Sequence, residues 1–98
     1  MSDEWLRRYY ETGDNEYMLR IIRHYGPLLD RLLAQCVHDS AVRVEIWLQT
    51  LIQVRQSRRH PELHFDLGRG TLTGFVFSIA MHLAYRWLVW REDPRARD

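Results

Sequence analysis

Residues 16–36 read EYMLRIIRHYGPLLDRLLAQC, and the spacing of their apolar residues decides the fold class. Apolar side chains recur at three- and four-residue intervals, and charged residues such as Arg20 and Arg31 fall between them. This period predicts a helix that buries one stripe and exposes the opposite side. Gly26 and Pro27 stand inside the stretch and predict either a kink or a break between two helices.

The flanking segments predict further helices separated by capping and turn residues. The predicted helices cover residues 1–12, 16–36, 41–55 and 71–91. Caps are available before each later helix, at Asp14 or Asn15, within His38-Asp39-Ser40, and at Thr71. Residues 57–70 are polar, contain Pro61 and are typical of a loop.

Helices without a strand pattern predict an all-α protein, a small bundle of three to four helices. The expected organisation is a short N-terminal helix over residues 1–12 and a helical domain over 13–92. Residues 93–98, DPRARD, look like the start of an interdomain linker or tail.

Composition limits the class of protein further. The chain has 98 residues, which allows one domain, and four Trp, five Tyr and three Phe can build its core. Cys36 is the single cysteine, so an internal disulfide is excluded and a reducing compartment is favoured. No signal-peptide pattern and no apolar run near the ~20 residues of a bilayer span is evident. The expectation is a cytoplasmic protein without a membrane partner.

The sequence offers little for catalysis. No Ser/His/Asp order, glycine-rich phosphate loop or pair of catalytic carboxylates stands out, so we do not expect an enzyme. Cys36 with His38, and His60 with His64, match no standard zinc spacing. We therefore expect neither a metal nor a cofactor.

The distribution of charge and the number of apolar residues in one predicted helix indicate surfaces that bind partners. The net charge is +1, but residues 55–69 carry four Arg and two His against Glu62 and Asp66. This basic segment is either a phosphate-contacting patch or a solvated connection between helices. In the helix over 41–55, Val44, Leu48 and Ile52 lie largely off the core stripe. They imply a second packing surface, internal or to a partner.

Three stretches of this chain resemble one family. Residues 65–84, FDLGRGTLTGFVFSIAMHLA, are similar to F-D-x-x-R-G-S-F-R-A-W-L-F-R-I-A-R-N-L-A. Residues 25–32, YGPLLDRL, are similar to the opening-helix pattern Y-x-P-x-L-x-R-x-L, and residues 45–48, EIWL, align with E-V-F-L. All three patterns are common in region 2 of the sigma-70 family, in its extracytoplasmic-function branch. The resemblance spans about residues 13–91.

The resemblance implies a transcription initiation domain that binds the clamp helices of core RNA polymerase and recognises and melts the promoter −10 element. The implied polymerase contacts are Ser40, Ala41, Val44, Glu45 and Leu48. The implied DNA contacts are Arg69, Gly70, Phe75, His82, Arg86 and Trp87. Aromatic residues at helical spacing are also typical core residues, so Phe75 and Trp87 have that second interpretation.

The sequence departs from the family where polymerase is bound. Ser40 and Ala41 occupy positions that are usually acidic. A phosphoryl group would restore negative charge there, and a subgroup of the family resembles this pattern and works with Ser/Thr kinases. The candidate phosphorylation sites are the hydroxyls of Thr50, which ranks first, and of Ser40. Ser40 can also be a plain helix cap, and Thr50 a tolerated surface residue.

Two other functions remain open from the sequence. One is a sigma-like protein-interaction module that binds an anti-sigma factor or polymerase without using DNA. The other is an aromatic-rich helical domain that dimerises through the same surfaces.

Overall fold

The computed structural model describes residues 2–92, with the backbone alone at residue 92. Its α-helices are α1 (Ser2–Thr12), α2 (Asn15–Leu33), α3 (Ser40–Gln56) and α4 (Leu72–Glu92), and a 3-10 turn spans Pro61–Leu63. No strand occurs among these residues. The predicted all-α bundle is confirmed. The predicted linker over 93–98 lies outside the described residues.

Aspartates fix the starts of the two central helices. The carboxylate of Asp14 accepts a hydrogen bond from the backbone N–H of Glu16 at 2.9 Å. Asp39 accepts from the N–H of Ala41 at 2.9 Å in the same way. Asp39 is therefore the N-cap of α3, and Ser40 is the first residue of the helix. The interpretation of Ser40 as the cap is wrong, because Asp39 already satisfies these orphan donors.

Helix α2 runs through Gly26 and Pro27 without a break, so the two-helix alternative is wrong. Pro27 has no N–H to donate to the carbonyl of Arg23, and packing compensates for this loss. Gly26 is buried, and a Cβ there would meet the Trp47 ring at 3.7 Å. Close packing of α3 on this part of α2 holds the helix together.

The core consists of two clusters that share α4. Leu72, Val76, Ala80 and Ala84 are fully buried and follow one another at four-residue intervals, so they form one ridge along the helix. The larger cluster combines the first three residues of this ridge with α1, α2 and the end of α3. Its buried residues are Leu6, Tyr9, Met18, Ile21, Tyr25, Leu29, Leu51, Val54, Leu72, Val76 and Ala80. The smaller cluster joins Leu33, Val37, Ile46 and Ala84.

The start of α1 is tied to the start of α4. The carboxylate of Asp3 accepts a hydrogen bond from the N–H of Leu72 at 2.8 Å. The buried Tyr25 places its hydroxyl 2.7 Å from Thr73 Oγ1 and donates to Ser2 Oγ at 3.0 Å. These contacts set where the loop over 57–70 delivers the chain into α4.

The sequence predicted no membrane-spanning segment, and helix α4 departs from that prediction. By length and composition, Leu72–Arg91 meets the requirement for a membrane-crossing helix, although no continuous apolar run does. Only 22% of that window is buried in the bundle. The exposed part includes His82 and Arg86 as well as apolar residues.

Candidate functional site

The residues implied as polymerase contacts share the exposed side of α3. Ser40, Ala41, Val44, Glu45 and Leu48 are all exposed. Val44 and Leu48 continue at four-residue spacing into Ile52, and the three side chains are 40%, 45% and 42% exposed. We call Val44, Leu48 and Ile52 the α3 stripe. The first turn of α3 holds no acidic residue.

A groove between α2 and α3 lies beside the α3 stripe. Its volume is about 580 Å³. Pro27, Ile22 and Trp47 contribute apolar walls, and Ser40 and Val44 lie at its α3 side. We call this cavity the α2–α3 groove. Trp47 and Pro27 were not predicted as parts of a binding surface, because the local sequence does not show that α3 approaches α2 at Gly26.

Arg43 lines the groove but has a structural role. Its Nε lies 3.2 Å from Asp30 Oδ1, and its Nη1 donates to the carbonyls of Val37 at 2.9 Å and His38 at 3.0 Å. The side chain is only 17% exposed. Arg43 therefore binds α3 to the end of α2 and to the connection that follows.

The two candidate phosphorylation sites differ sharply in exposure. Thr50 is fully buried, and its hydroxyl donates to the Ile46 carbonyl at 2.9 Å. The interpretation of Thr50 as an available surface hydroxyl is wrong, because α3 turns this position toward the core between Ile46 and Leu51. Ser40 is exposed at the first position of α3.

The loop before α4 presents Arg69 to solvent. Asp66 closes a turn by accepting the N–H of Gly68 on its side chain at 2.8 Å and the N–H of Arg69 on its carbonyl at 3.0 Å. The Arg69 side chain is 88% exposed, with its Nε 3.6 Å from the Asp66 carboxylate. Gly70 packs against Phe65, since a Cβ there would lie 3.2 Å from the ring.

Helix α4 separates its implied DNA contacts into two rows. His82 and Arg86 lie one turn apart and are exposed. Phe75 and Trp87 belong to a half-buried row that packs against the core clusters. The Phe65 ring stacks on Phe75 with centroids 4.5 Å apart and planes at 12°, so one face of Phe75 is covered. We call Arg69, Gly70, His82 and Arg86 the loop–α4 surface.

The exposed side of α4 also carries apolar residues that were not predicted as part of a site. Met81, Tyr85 and Val89 recur at four-residue intervals and are 42%, 67% and 40% exposed. Their spacing was a readable signal, but the apolar character of the whole helix hid which residues would stay outside the core. They border His82 and Arg86 on the same helix.

No three His, Cys, Asp or Glu side chains converge as a metal ion would require in the part of the chain described. A scan against protein-family models, a search of the curated proteins and a search of the solved structures found no match to this chain.

Proposed function

We propose that this chain is a sigma-like transcription initiation domain that binds core RNA polymerase and recognises and melts the promoter −10 element. The observation that supports this most is the segment over residues 65–84. It resembles the −10-reading segment of the family. A turn on Asp66 exposes Arg69 in this segment, and the helix that follows exposes His82 and, just beyond the segment, Arg86.

The loop–α4 surface has the chemistry that single-stranded DNA requires. Guanidinium groups of Arg69 and Arg86 attract backbone phosphates and stack on bases. His82 offers ring nitrogens that can hydrogen-bond a base edge. Phe75 and Trp87 border this surface as partly exposed aromatic rings, so an unstacked base has an apolar edge to contact.

The α3 stripe and the α2–α3 groove supply the polymerase contact in this proposal. Their contact is mainly apolar, because Ser40 and Ala41 stand where acids would pair with a basic partner. A Ser/Thr kinase acting on Ser40 would add about −1.5 to −2 charges at the helix N-terminus, a position that favours negative charge. Ser40 is the better candidate of the two hydroxyls since it is exposed.

DNA binding is tested with a fluorescent single-stranded −10 oligonucleotide, for the chain alone and with core polymerase. Arg69→Ala should weaken binding and reduce the dependence on salt, by about one unit of the logarithmic slope. Arg31→Ala, at an exposed position on α2, is the matched control and should bind like wild type. Equal effects of the two variants, or no binding by wild type in either setting, contradict the DNA role.

Polymerase binding is tested by pull-down of the core enzyme. Leu48→Asp places a charge in the α3 stripe and should abolish capture. Leu63→Asp, in the 3-10 turn, is the control because Leu63 is 42% exposed and Leu48 45%. Capture of both variants at the wild-type level would refute the role of the α3 stripe.

A second candidate is a sigma-like interaction module that binds an anti-sigma factor or polymerase without DNA. The exposed Met81, Tyr85 and Val89 favour it, because large apolar side chains on a helix surface mark protein contacts. Partner binding that is lost in Tyr85→Asp, together with no binding of −10 DNA, would favour this module over the DNA-reading domain.

A further inference from the structure

Three arginines converge on a polar cavity where α1 ends, α2 begins and α3 ends. The cavity measures about 340 Å³, and Arg55, Arg58 and Arg59 line it together with Gly13 and Asn15. We propose that this cavity is a binding site for the terminal phosphate group of a small phosphorylated ligand. We call it the three-arginine cavity.

Arg58 is held in place before any ligand binds. Its Nε donates to the carbonyl of Tyr9 at 3.0 Å. Its Cζ lies 2.8 Å from where a Cβ on Gly13 would be, so the guanidinium packs directly on that glycine. The Nη groups have no acceptor among the residues described, which leaves fixed donors for an anion. A donor fork that is already positioned loses little freedom on binding.

Arg55 and Arg59 add two charges that the protein does not neutralise. Neither side chain forms a hydrogen bond or an ion pair with any described residue. No carboxylate lines the three-arginine cavity, since the acid next to it, Asp14, is turned to the N–H of Glu16.

The start of α2 borders the cavity but adds little to its positive potential, because the Asp14 carboxylate already caps this helix end. Asn15 is the first residue of this 19-residue helix and lines the cavity. Arg55 also lies in the last turn of α3, where a cation is favourable without any ligand. Its position alone therefore decides nothing, and the inference rests on three arginines that line one cavity without a carboxylate among the lining residues.

The shape of the site favours a terminal phosphate over a phosphate within a nucleic acid strand. A phosphomonoester presents three charged oxygens, and guanidinium groups bind such oxygens in pairs. An internal phosphodiester has two free oxygens and chain on both sides, which suits an open surface better than a concave site. The three-arginine cavity shares no residue with the loop–α4 surface, but Ile52 of the α3 stripe also lines it. Phosphate binding is measured without polymerase, so its failure is distinguishable from a failure of the proposed function.

The test uses the whole chain with two probes at constant ionic strength. Inorganic phosphate is titrated by phosphorus NMR, and a short 5′-phosphorylated oligonucleotide by calorimetry. Wild type should bind both saturably. Arg55→Gln and Arg59→Gln should each weaken binding by about tenfold or more, because each removes one charge-assisted contact. Arg31→Gln is the control and should leave both affinities unchanged.

Arg58→Gln is not the decisive variant, since Arg58 also holds the end of α1 and its loss would disturb the fold. No saturable binding of either probe overturns the proposal, as does an equal loss in Arg31→Gln. Equal binding of the same oligonucleotide without its 5′-phosphate, with the same sensitivity to Arg55→Gln, also overturns it. That result would assign the site to internal phosphodiesters.

Discussion

Replacing Thr50 with glutamate separates a phosphorylation site from a core position. The Thr50 side chain is fully buried, and its hydroxyl donates a hydrogen bond to the Ile46 carbonyl. A glutamate there brings a longer side chain and a charge into the space between α3 and the core, with no cationic partner in the contacts of Thr50. We therefore expect Thr50→Glu to destabilise the domain strongly and not to imitate an activated form.

The magnitude follows from burial. Leaving an uncompensated charge inside a protein costs about 3–5 kcal/mol. A domain of this size is stable by about 5–15 kcal/mol in total. One kcal/mol shifts the melting temperature of such a domain by about 4–8 °C, so Thr50→Glu should lower it by more than about 10 °C. Overpacking adds to this loss.

The assay is urea and thermal unfolding followed by circular dichroism, with two comparison variants. Thr50→Val keeps the shape and removes one hydroxyl, and it should cost about 1 kcal/mol or less because the Ile46 carbonyl keeps its helical partner. Ser40→Glu puts an acid into an exposed first turn and should stabilise by about 0.3–1 kcal/mol. A melting temperature of Thr50→Glu equal to that of wild type would refute the placement of Thr50 in the core.

Three more outcomes are expected. Asp3→Ala should cost about 1 kcal/mol in urea unfolding, because the N–H of Leu72 loses its cap. The pKa of Glu4 lies below its ordinary value of 4.5, first through the Arg7 hydrogen bond and then through Arg8. A lowered folded-state pKa gives stability that is present above the unfolded pKa and lost as the pH falls through the folded one. Glu4→Gln should therefore be less stable than wild type at neutral pH and equal to it in acid. Capture of polymerase should depend weakly on salt, and binding of −10 DNA steeply.

The sequence predicted the helices well because their signals are local. Asp14 and Asp39 are caps that act within three residues, and the apolar period of α2 needs no tertiary information. Pro27 was ambiguous for the opposite reason. Whether a proline breaks a helix depends on what packs around it, and the contact of Trp47 with Gly26 is visible only in three dimensions.

The functional surfaces were predictable in part. Val44 and Leu48 were predicted to lie off the core stripe of α3, and the structure confirms that both are exposed. Thr50 was misjudged because α3 is apolar on several sides, and its period alone does not say which side faces α4. The basic segment over residues 55–69 already raised a phosphate-contacting patch as one of two alternatives. The three-arginine cavity brings the start of that segment, at Arg55, to the connection between α1 and α2, at Gly13 and Asn15, and no local pattern signals this meeting.

The expected weak salt dependence of polymerase capture has its basis in the side chains of α3. Surface charges lose their attraction when salt screens them, whereas apolar burial contributes about 25 cal/mol per Å² with little screening. Val44, Leu48 and Ile52 are exposed and apolar, Ser40 and Ala41 are exposed and uncharged, and Glu45 is the one charged side chain among the implied polymerase contacts. In the proposed complex the unmodified chain therefore gains affinity mainly from the apolar surface area that it buries. A phosphoryl group on Ser40 would add a charged contact at the edge of an existing apolar interface. Modification would then raise both the affinity and its sensitivity to salt, and a rise in affinity without that sensitivity would contradict the charge-based account.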